Sequence, residues 1–442
     1  MFGYDLAIMA GANIYLREQF QLSNVGFGFT QVSAVLGCIA GPIAGGWLCD
    51  YAGRKKTLIL SSVFLMVSAI FTAVAPDIMT LNIFRFIGGI GIGLCSVCSP
   101  MYIAETAPSR IRGAFGVMYQ LAIVVGTVIS AIVAYYLARL FSETTCWRWM
   151  FASEVVAIGV FVLFLFFLPE SPRWLFSRGS RKDALAVLKM IDGEEYAVSE
   201  LEQMEKSSFS GQNSLFVNIL RPGIGKLFAI GFLLAFFNTW TGWTNMSGYI
   251  PYLFQKAGLS DKSQAILQLA FAYGFMLVVT TLACFLVDRI GRKPIWIFSS
   301  ALMTVGMFLL GLAFYFNMTG IFILVIISLC AIPHSFALGP LPWLMMSEIF
   351  PTNIRAKAVS VTTTVLWIFI FLAGFVFPLI ADYSEKKIGS VAGVFWLFSV
   401  ISFFALIFGF TLLPETKGKT LEEISGSSTD PESLICSNDQ QR

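Results

Sequence analysis

The chain has 442 residues, 57% of them hydrophobic, 12% charged and 15% aromatic, with a net charge of +3, whereas soluble domains carry roughly 25% charged residues. The composition excludes an ordinary water-soluble globule, and so small a charge without a basic stripe gives no footprint for nucleic acid. Eight scattered cysteines form no paired framework and exclude a disulfide scaffold.

A bilayer core takes about 20 apolar residues per helix. Apolar runs of that kind are read near 1–16, 26–49, 57–75, 80–103, 114–138, 148–168, 224–255, 264–287, 294–315, 319–346, 358–381 and 391–413. They are continuous, unlike the alternating segments of about 10 residues that mark a membrane barrel, so they predict twelve membrane-spanning helices. The first is short, because Met1 stands directly before Phe2-Gly3-Tyr4-Asp5, and it is expected to be truncated or incomplete. Cys95 and Cys98 have CxxC spacing, but on a Gly-rich membrane helix small-residue packing is the better reading than redox chemistry.

Residues 1–168 thus read as one six-helix bundle and 224–413 as a second. Between them, 169–223 reads as a cytoplasmic linker with short surface helices around Asp183–Leu188 and Glu200–Lys206, and 414–442 as a cytoplasmic tail. Arg54-Lys55-Lys56, Arg110/Arg112, Arg289/Arg292/Lys293, Arg355/Lys357 and Lys417/Lys419 all fall on one side if the spans alternate. The positive-inside rule makes that side, and both termini, cytoplasmic. Arg17, Arg139, Lys262, Lys386 and Lys387 fall on the other side, against the rule.

The two halves repeat. Asp50-x3-Arg54 is matched by Asp288-x3-Arg292 at an offset of 238, Glu105 and Arg112 by Glu348 and Arg355 at 243, and Pro169-Glu170 by Pro414-Glu415 at 245. Parallel repeats around a midplane site describe a class of secondary transporter. Asp50, Arg54, Glu105, Arg112, Glu170, Arg173, Asp288, Arg292, Glu348, Arg355 and Glu415 are therefore read as a cytoplasmic gate network that forms when the inner side shuts. The plainer alternative, topology signals and helix caps, accounts for the Arg and Lys but not for carboxylates at matched spacing.

The first half carries Gly46-x3-Asp50-Tyr51-Ala52-Gly53-Arg54-Lys55, Tyr102-Ile103-Ala104-Glu105 with Arg112-Gly113, Trp147-Arg148-Trp149, and Pro169-Glu170-Ser171-Pro172-Arg173-Trp174-Leu175. The second carries Asp288-Arg289-Ile290-Gly291-Arg292-Lys293, Gly339-Pro340-Leu341-Pro342-Trp343 with Ser347-Glu348-Ile349-Phe350-Pro351, and Pro414-Glu415-Thr416-Lys417-Gly418. Together, in this order and along nearly the whole chain, these words resemble the sugar porter family of the major facilitator superfamily. The resemblance implies an all-α membrane protein with the major facilitator fold, two six-helix bundles related by a pseudo-twofold axis and short intracellular helices. It implies alternating access in a plasma or inner membrane.

A charge inside a span is a functional hypothesis by default, and Asp5 and Arg85 stand out. In sugar porters an Asp at the place of Asp5 accompanies proton symport, and Arg85 aligns with its partner. A deprotonated Asp5 is held by Arg85, and protonation releases it; a static ion pair bracing two helices is the alternative. The family match places Phe2, Gln120, Asn238, Thr239, Thr244, Trp343 and Trp367 around the solute, with amides suited to hydroxyls and indoles to stacking. Where the family has Gln-Gln and a later Asn on span seven, this chain has Asn238, Thr239 and Thr244, and the family's amides on spans eight and eleven fall at Met276 and Leu366. That points away from glucose, toward another sugar, a polyol or a similar small polar solute. Gly242, Gly248 and Pro251 on span seven and Gly339, Pro340 and Pro342 on span ten predict broken helices.

The single histidine, His334, is expected to make a satisfied interhelical hydrogen bond, and no metal set can be assembled around it. With no Walker motif and no soluble nucleotide-binding domain, transport is expected to run on gradients, without a cofactor and without an obligatory protein partner. Solute:proton symport is the leading reading. Uniport of the same or a non-sugar solute, and a transporter-like sensor that binds without moving its ligand, are the alternatives; no cluster of nucleophile, base and orienter suggests an enzyme.

Overall fold

The computed structural model describes residues 1–108, 112–208, 224–256, 261–318, 321–350 and 355–415, and among these it contains helices and no strand. In the first half, α1 (Phe2–Gln19), α2 (Asn24–Ala52), α3 (Arg54–Ala73), α4 (Ile78–Thr106), α5 (Arg112–Leu140) and α6 (Cys146–Phe167) run up and down. Two surface helices follow, α7 (Pro172–Ser177) and α8 (Arg181–Ser208). The second half comprises α9 (Ile224–Trp240), α10 (Trp243–Ser247), α11 (Ile250–Lys256), α12 (Lys262–Ile290), α13 (Arg292–Tyr315) and α14 (Ile321–Pro333). A π-turn at His334–Leu338 leads into α15 (Pro340–Glu348), then α16 (Arg355–Ile388) and α17 (Ala392–Thr411). Among the described residues eleven spans are long and apolar enough to cross a bilayer, and α1, with 18 residues, is about 27 Å long at 1.5 Å per residue and completes the twelve. Phe164, Phe166, Phe167, Ile43 and many other large apolar side chains are exposed, as a surface solvated by lipid tails requires.

Without a hydrophobic force between helices in lipid, close packing depends on small residues. α2 and α4 meet through Gly37 and Gly41 against Gly89 and Gly93, so closely that a Cβ on Gly89 would strike the carbonyl oxygen of Ala34. We expect Gly89→Ala to destabilise the detergent-solubilised protein by about 1–3 kcal/mol, the usual cost of overpacking, measured as a lower thermal midpoint; an unchanged midpoint would contradict this packing. Cys95 and Cys98 sit where α4 packs against α3. Cys95 Sγ lies 2.8 Å from Ser61 Oγ, and Cys98 donates to the Arg54 carbonyl at 3.3 Å.

Helix ends are capped where the sequence offers caps. Ser23 accepts from Gly26 N at 3.2 Å to start α2, and Asp77 accepts from Thr80 N at 2.9 Å to start α4. The repeat is exact in kind at two other ends. Glu170 accepts from Arg54 N (2.8 Å) and Lys55 N (3.2 Å) at the start of α3, and Glu415 accepts from Arg292 N (3.1 Å) and Lys293 N (3.0 Å) at the start of α13. Each carboxylate neutralises orphan N–H groups at a positive helix end. The residues before those ends, Gly53 (φ +93°) and Gly291 (φ +109°), are glycines because the left-handed backbone suits no side chain, and a Cβ on either would press on the capping glutamate.

Candidate transport site and gates

Asp5 on α1 and Arg85 on α4 are both buried, 7% and 3% exposed. The guanidinium grips the carboxylate with both terminal nitrogens, Nη2 to Oδ2 at 3.1 Å and Nη1 to Oδ1, the bidentate geometry that arginine favours. The face of Phe151 lies 5.4 Å from the guanidinium carbon. A third ionisable group joins them. Glu154 on α6 is 5% exposed, interacts electrostatically with both Asp5 and Arg85, and its Oε1 has no hydrogen-bond partner. The sequence reading missed Glu154, although it lies inside the predicted span 148–168 and the rule about charges in spans applies to it equally; no recurring word draws attention to it.

Span seven breaks at Gly242 and again at Gly248–Tyr249, as its glycines predict. A break strands backbone carbonyls, which in a membrane need internal donors. Thr244 donates to the Asn238 carbonyl at 2.9 Å and Asn245 to the Thr239 carbonyl at 2.7 Å. The Asn238 amide donates to the carbonyls of Leu338 (2.8 Å) and Gly339 (3.0 Å), tying span seven to the break in span ten. Thr239 is fully buried and bonds back to its own helix at Phe236 O, 3.0 Å away. Asn238 and Thr244, two of the polar residues read as solute ligands on span seven, thus bond carbonyls at the breaks in this structure. Span ten departs from regular α-helix one turn before its prolines, at the π-turn His334–Leu338, where Gly339 N donates to His334 O at 2.7 Å. His334 itself corrects an expectation: it is buried with Nδ1 unpartnered, its ring 6.2 Å from that of Trp243.

Trp367 on α16 is buried, donates to Ser96 Oγ on α4 at 3.3 Å, and meets the ring of Phe2 edge-on at 5.3 Å. Phe2 and Trp367 thus face each other across the two bundles, next to the helix turn that carries Asp5. Trp343 and Gln120 are half-buried on α15 and α5, two helices in contact.

On the face that carries α7 and α8, called here the linker face, Arg54 donates to Glu105 at 2.8 Å, and Glu105 accepts from Ser171. Asp50 is peripheral, exposed and 3.8 Å from Arg54. Arg173 does not join this set; it bonds Glu200 at 3.0 Å and ties α7 to α8. The side chains of Arg112, Asp288, Glu348 and Arg355 lie outside the described residues. The linker-face ion pair Arg54–Glu105 and the caps by Glu170 and Glu415 each join elements of one half, and Trp174 of α7 and Arg178 just after it donate to the Asp50 carbonyl at the end of α2, each at 2.9 Å.

The family model described as "Sugar (and other) transporter" matches residues 1–427. The chain belongs to this family. It is 36% identical over 431 residues to the arabinose-proton symporter of Bacillus subtilis, covering 96% of this chain and 91% of the relative. It is 34% identical over 455 residues to the D-xylose-proton symporter of Escherichia coli K12, covering 96% and 92%. Among solved structures, the major facilitator proton:xylose symporter XylE bound to 6-bromo-6-deoxy-D-glucose superposes with a TM-score of 0.84 at 33% identity, covering 96% of this chain and 95% of that one. The major facilitator fold of two six-helix bundles is therefore the fold of this sugar-transporter-family chain, and the chain is a multi-pass integral membrane protein.

Proposed function

We propose that the chain is a sugar:proton symporter and not an enzyme, with the linker face and both termini in the cytoplasm of a plasma or inner membrane. Residues 1–168 and 224–413 are the two units that rock around the site. The observation that carries this reading is the buried cluster of Asp5, Arg85 and Glu154. Two carboxyl groups share one guanidinium in a low-dielectric interior, where a proton on one of them costs far less than holding a second buried anion.

Protonation of Asp5 loosens its hold on Arg85, and this biases the equilibrium between conformations. Phe2, three residues before Asp5 on α1, meets Trp367 of the other bundle, so the aromatic wall between the bundles senses the switch. Gln120 and Trp343 complete the solute contacts in this reading. Arg54, Glu105, Glu170 and Glu415, with Arg112, Asp288, Arg292, Glu348 and Arg355, form the cytoplasmic gate; Asp50 and Arg173 sit at its margin. The names of the relatives support a pentose or hexose cargo, since they include arabinose, xylose and galactose symporters.

The test is uptake of labelled arabinose, xylose, galactose and glucose into proteoliposomes with and without an inward proton gradient. Uphill accumulation of one of them that requires the gradient supports the proposal. Uptake of the same size with and without the gradient would make the chain a uniporter, and binding without uptake a sensor.

A further inference from the structure

Lys262 breaks the positive-inside pattern, and its surroundings account for it. It opens α12, in the second bundle, on the face opposite the linker. Its Nζ contacts Glu18 Oε2 at 2.5 Å and Glu143 Oε2 at 2.6 Å and lies 5.3 Å from the centre of the Tyr15 ring. Glu18 and Tyr15 are on α1 and Glu143 joins α5 to α6, so all three partners belong to the first bundle. The lysine side chain is 12% exposed while its two carboxylates are 58% and 69% exposed. The cation is thus sunk in the seam with the anions around its rim. Asp261, next in sequence, does not compete for it: its Oδ1 accepts from Ser263 N and Oγ, both at 2.8 Å.

The same seam carries two further polar links between bundles. Asn13 on α1 donates to Gln31 Oε1 (2.5 Å) and to the Gly248 carbonyl (3.4 Å) between α10 and α11. Arg17 bonds Asn24 at 2.9 Å and lies over both Phe27 and Tyr252, 4.6 and 4.9 Å from the ring centres. Ile266 of α12 and Tyr252 of α11 pack among apolar residues of the first bundle beneath them.

We infer that Lys262 is the keystone of a polar clasp that holds this transporter shut on the face opposite the linker. Rocking of the bundles to open that face separates α1 and α5 from α11 and α12, and every contact of Lys262 named above must then break. A link present in one conformation and absent from the other shifts the equilibrium by its own free energy. Partly exposed ion pairs are each worth little, so two pairs sharing one ammonium set the population of the open state within a roughly three- to tenfold range, without deciding whether the protein folds. The inference rests on the symport reading only for which face is outside; the clasp itself requires only alternating access.

The decisive experiment labels Gln31→Cys, which lies below the clasp, with a membrane-impermeant maleimide from the side opposite the linker, using protein without that cysteine as background. Lys262→Met is expected to speed labelling about three- to tenfold. Lys262→Arg is expected to leave the rate near that of the parent, and Glu18→Gln with Glu143→Gln to speed it as Lys262→Met does. Where sugar is carried, the half-saturation concentration from that face falls by the same factor relative to the linker face, because apparent affinity scales with the competent population. A labelling rate unmoved by both Lys262→Met and the double Gln variant, in protein that keeps its thermal midpoint, would overturn the clasp. Faster labelling in a protein that carries no sugar would uphold it and reject the symport proposal instead.

Discussion

Asp5→Asn protein is expected to exchange labelled sugar across the bilayer at close to the parent rate and yet to accumulate none against a gradient. Asn keeps the size of the side chain and one acceptor for Arg85, but it can neither carry a proton nor hold a charge. An inward gradient of one pH unit supplies about 1.4 kcal/mol per proton, which corresponds to about tenfold accumulation for one proton per sugar; in the variant the ratio drops to about one. Glu154 makes the measurement discriminating. If accumulation survives in Asp5→Asn and is lost in Glu154→Gln, the proton rides on Glu154 and the role assigned to Asp5 is wrong. If both single variants lose it while exchange persists, the two carboxylates act as one proton-binding unit.

Arg85→Met carries the second large effect, on stability. The guanidinium is buried, bidentate on Asp5, and interacts electrostatically with Glu154 as well. Its removal leaves two carboxyl groups in the bundle without a counter-charge, and breaking a buried pair from one side costs about 3–5 kcal/mol, most of it the penalty of the stranded partner. The detergent-solubilised variant should therefore unfold at a clearly lower temperature than the parent. Adding Asp5→Asn removes one stranded charge, so the double variant should regain a substantial part of the loss, and the cycle should show coupling well above 0.5 kcal/mol. Strictly additive losses would mean that Arg85 stabilises the bundle by packing against Phe151 and its other neighbours and not by pairing with Asp5.

Much of this chain is open to reading because a bilayer permits so few solutions. Backbone groups in lipid must bond within their own helix, so the apolar runs translate directly into spans, and glycines and prolines translate into the breaks at Gly242 and just ahead of Gly339 and Pro340. The duplicated words Asp-x3-Arg and Pro-Glu likewise turned out to stand at duplicated helix ends, with Glu170 and Glu415 capping α3 and α13 in the same manner. Asp5 and Arg85 are paired in the sequence reading because a charge in a span demands a partner and the family resemblance supplies one.

The pairing of Asp5 with Arg85, 80 residues apart, came from the family resemblance; the sequence by itself determined the spans, their breaks and the twofold repeat. Those properties are local, or are repeated in the chain, and each follows from the cost of exposing polar groups to lipid. Only the tertiary structure showed which partners the polar side chains take within the protein. Asn238 and Thr244 look alike as hydrogen-bonding residues in the sequence, but in the fold each bonds a backbone carbonyl beside a helix break. The neighbours of Glu154 and Lys262 were equally hidden. They come from helices distant in the chain, 119 residues apart for Lys262 with Glu143 and 244 for Lys262 with Glu18, and a pairing of that kind depends on how helices rotate and pack against one another, which no local pattern encodes.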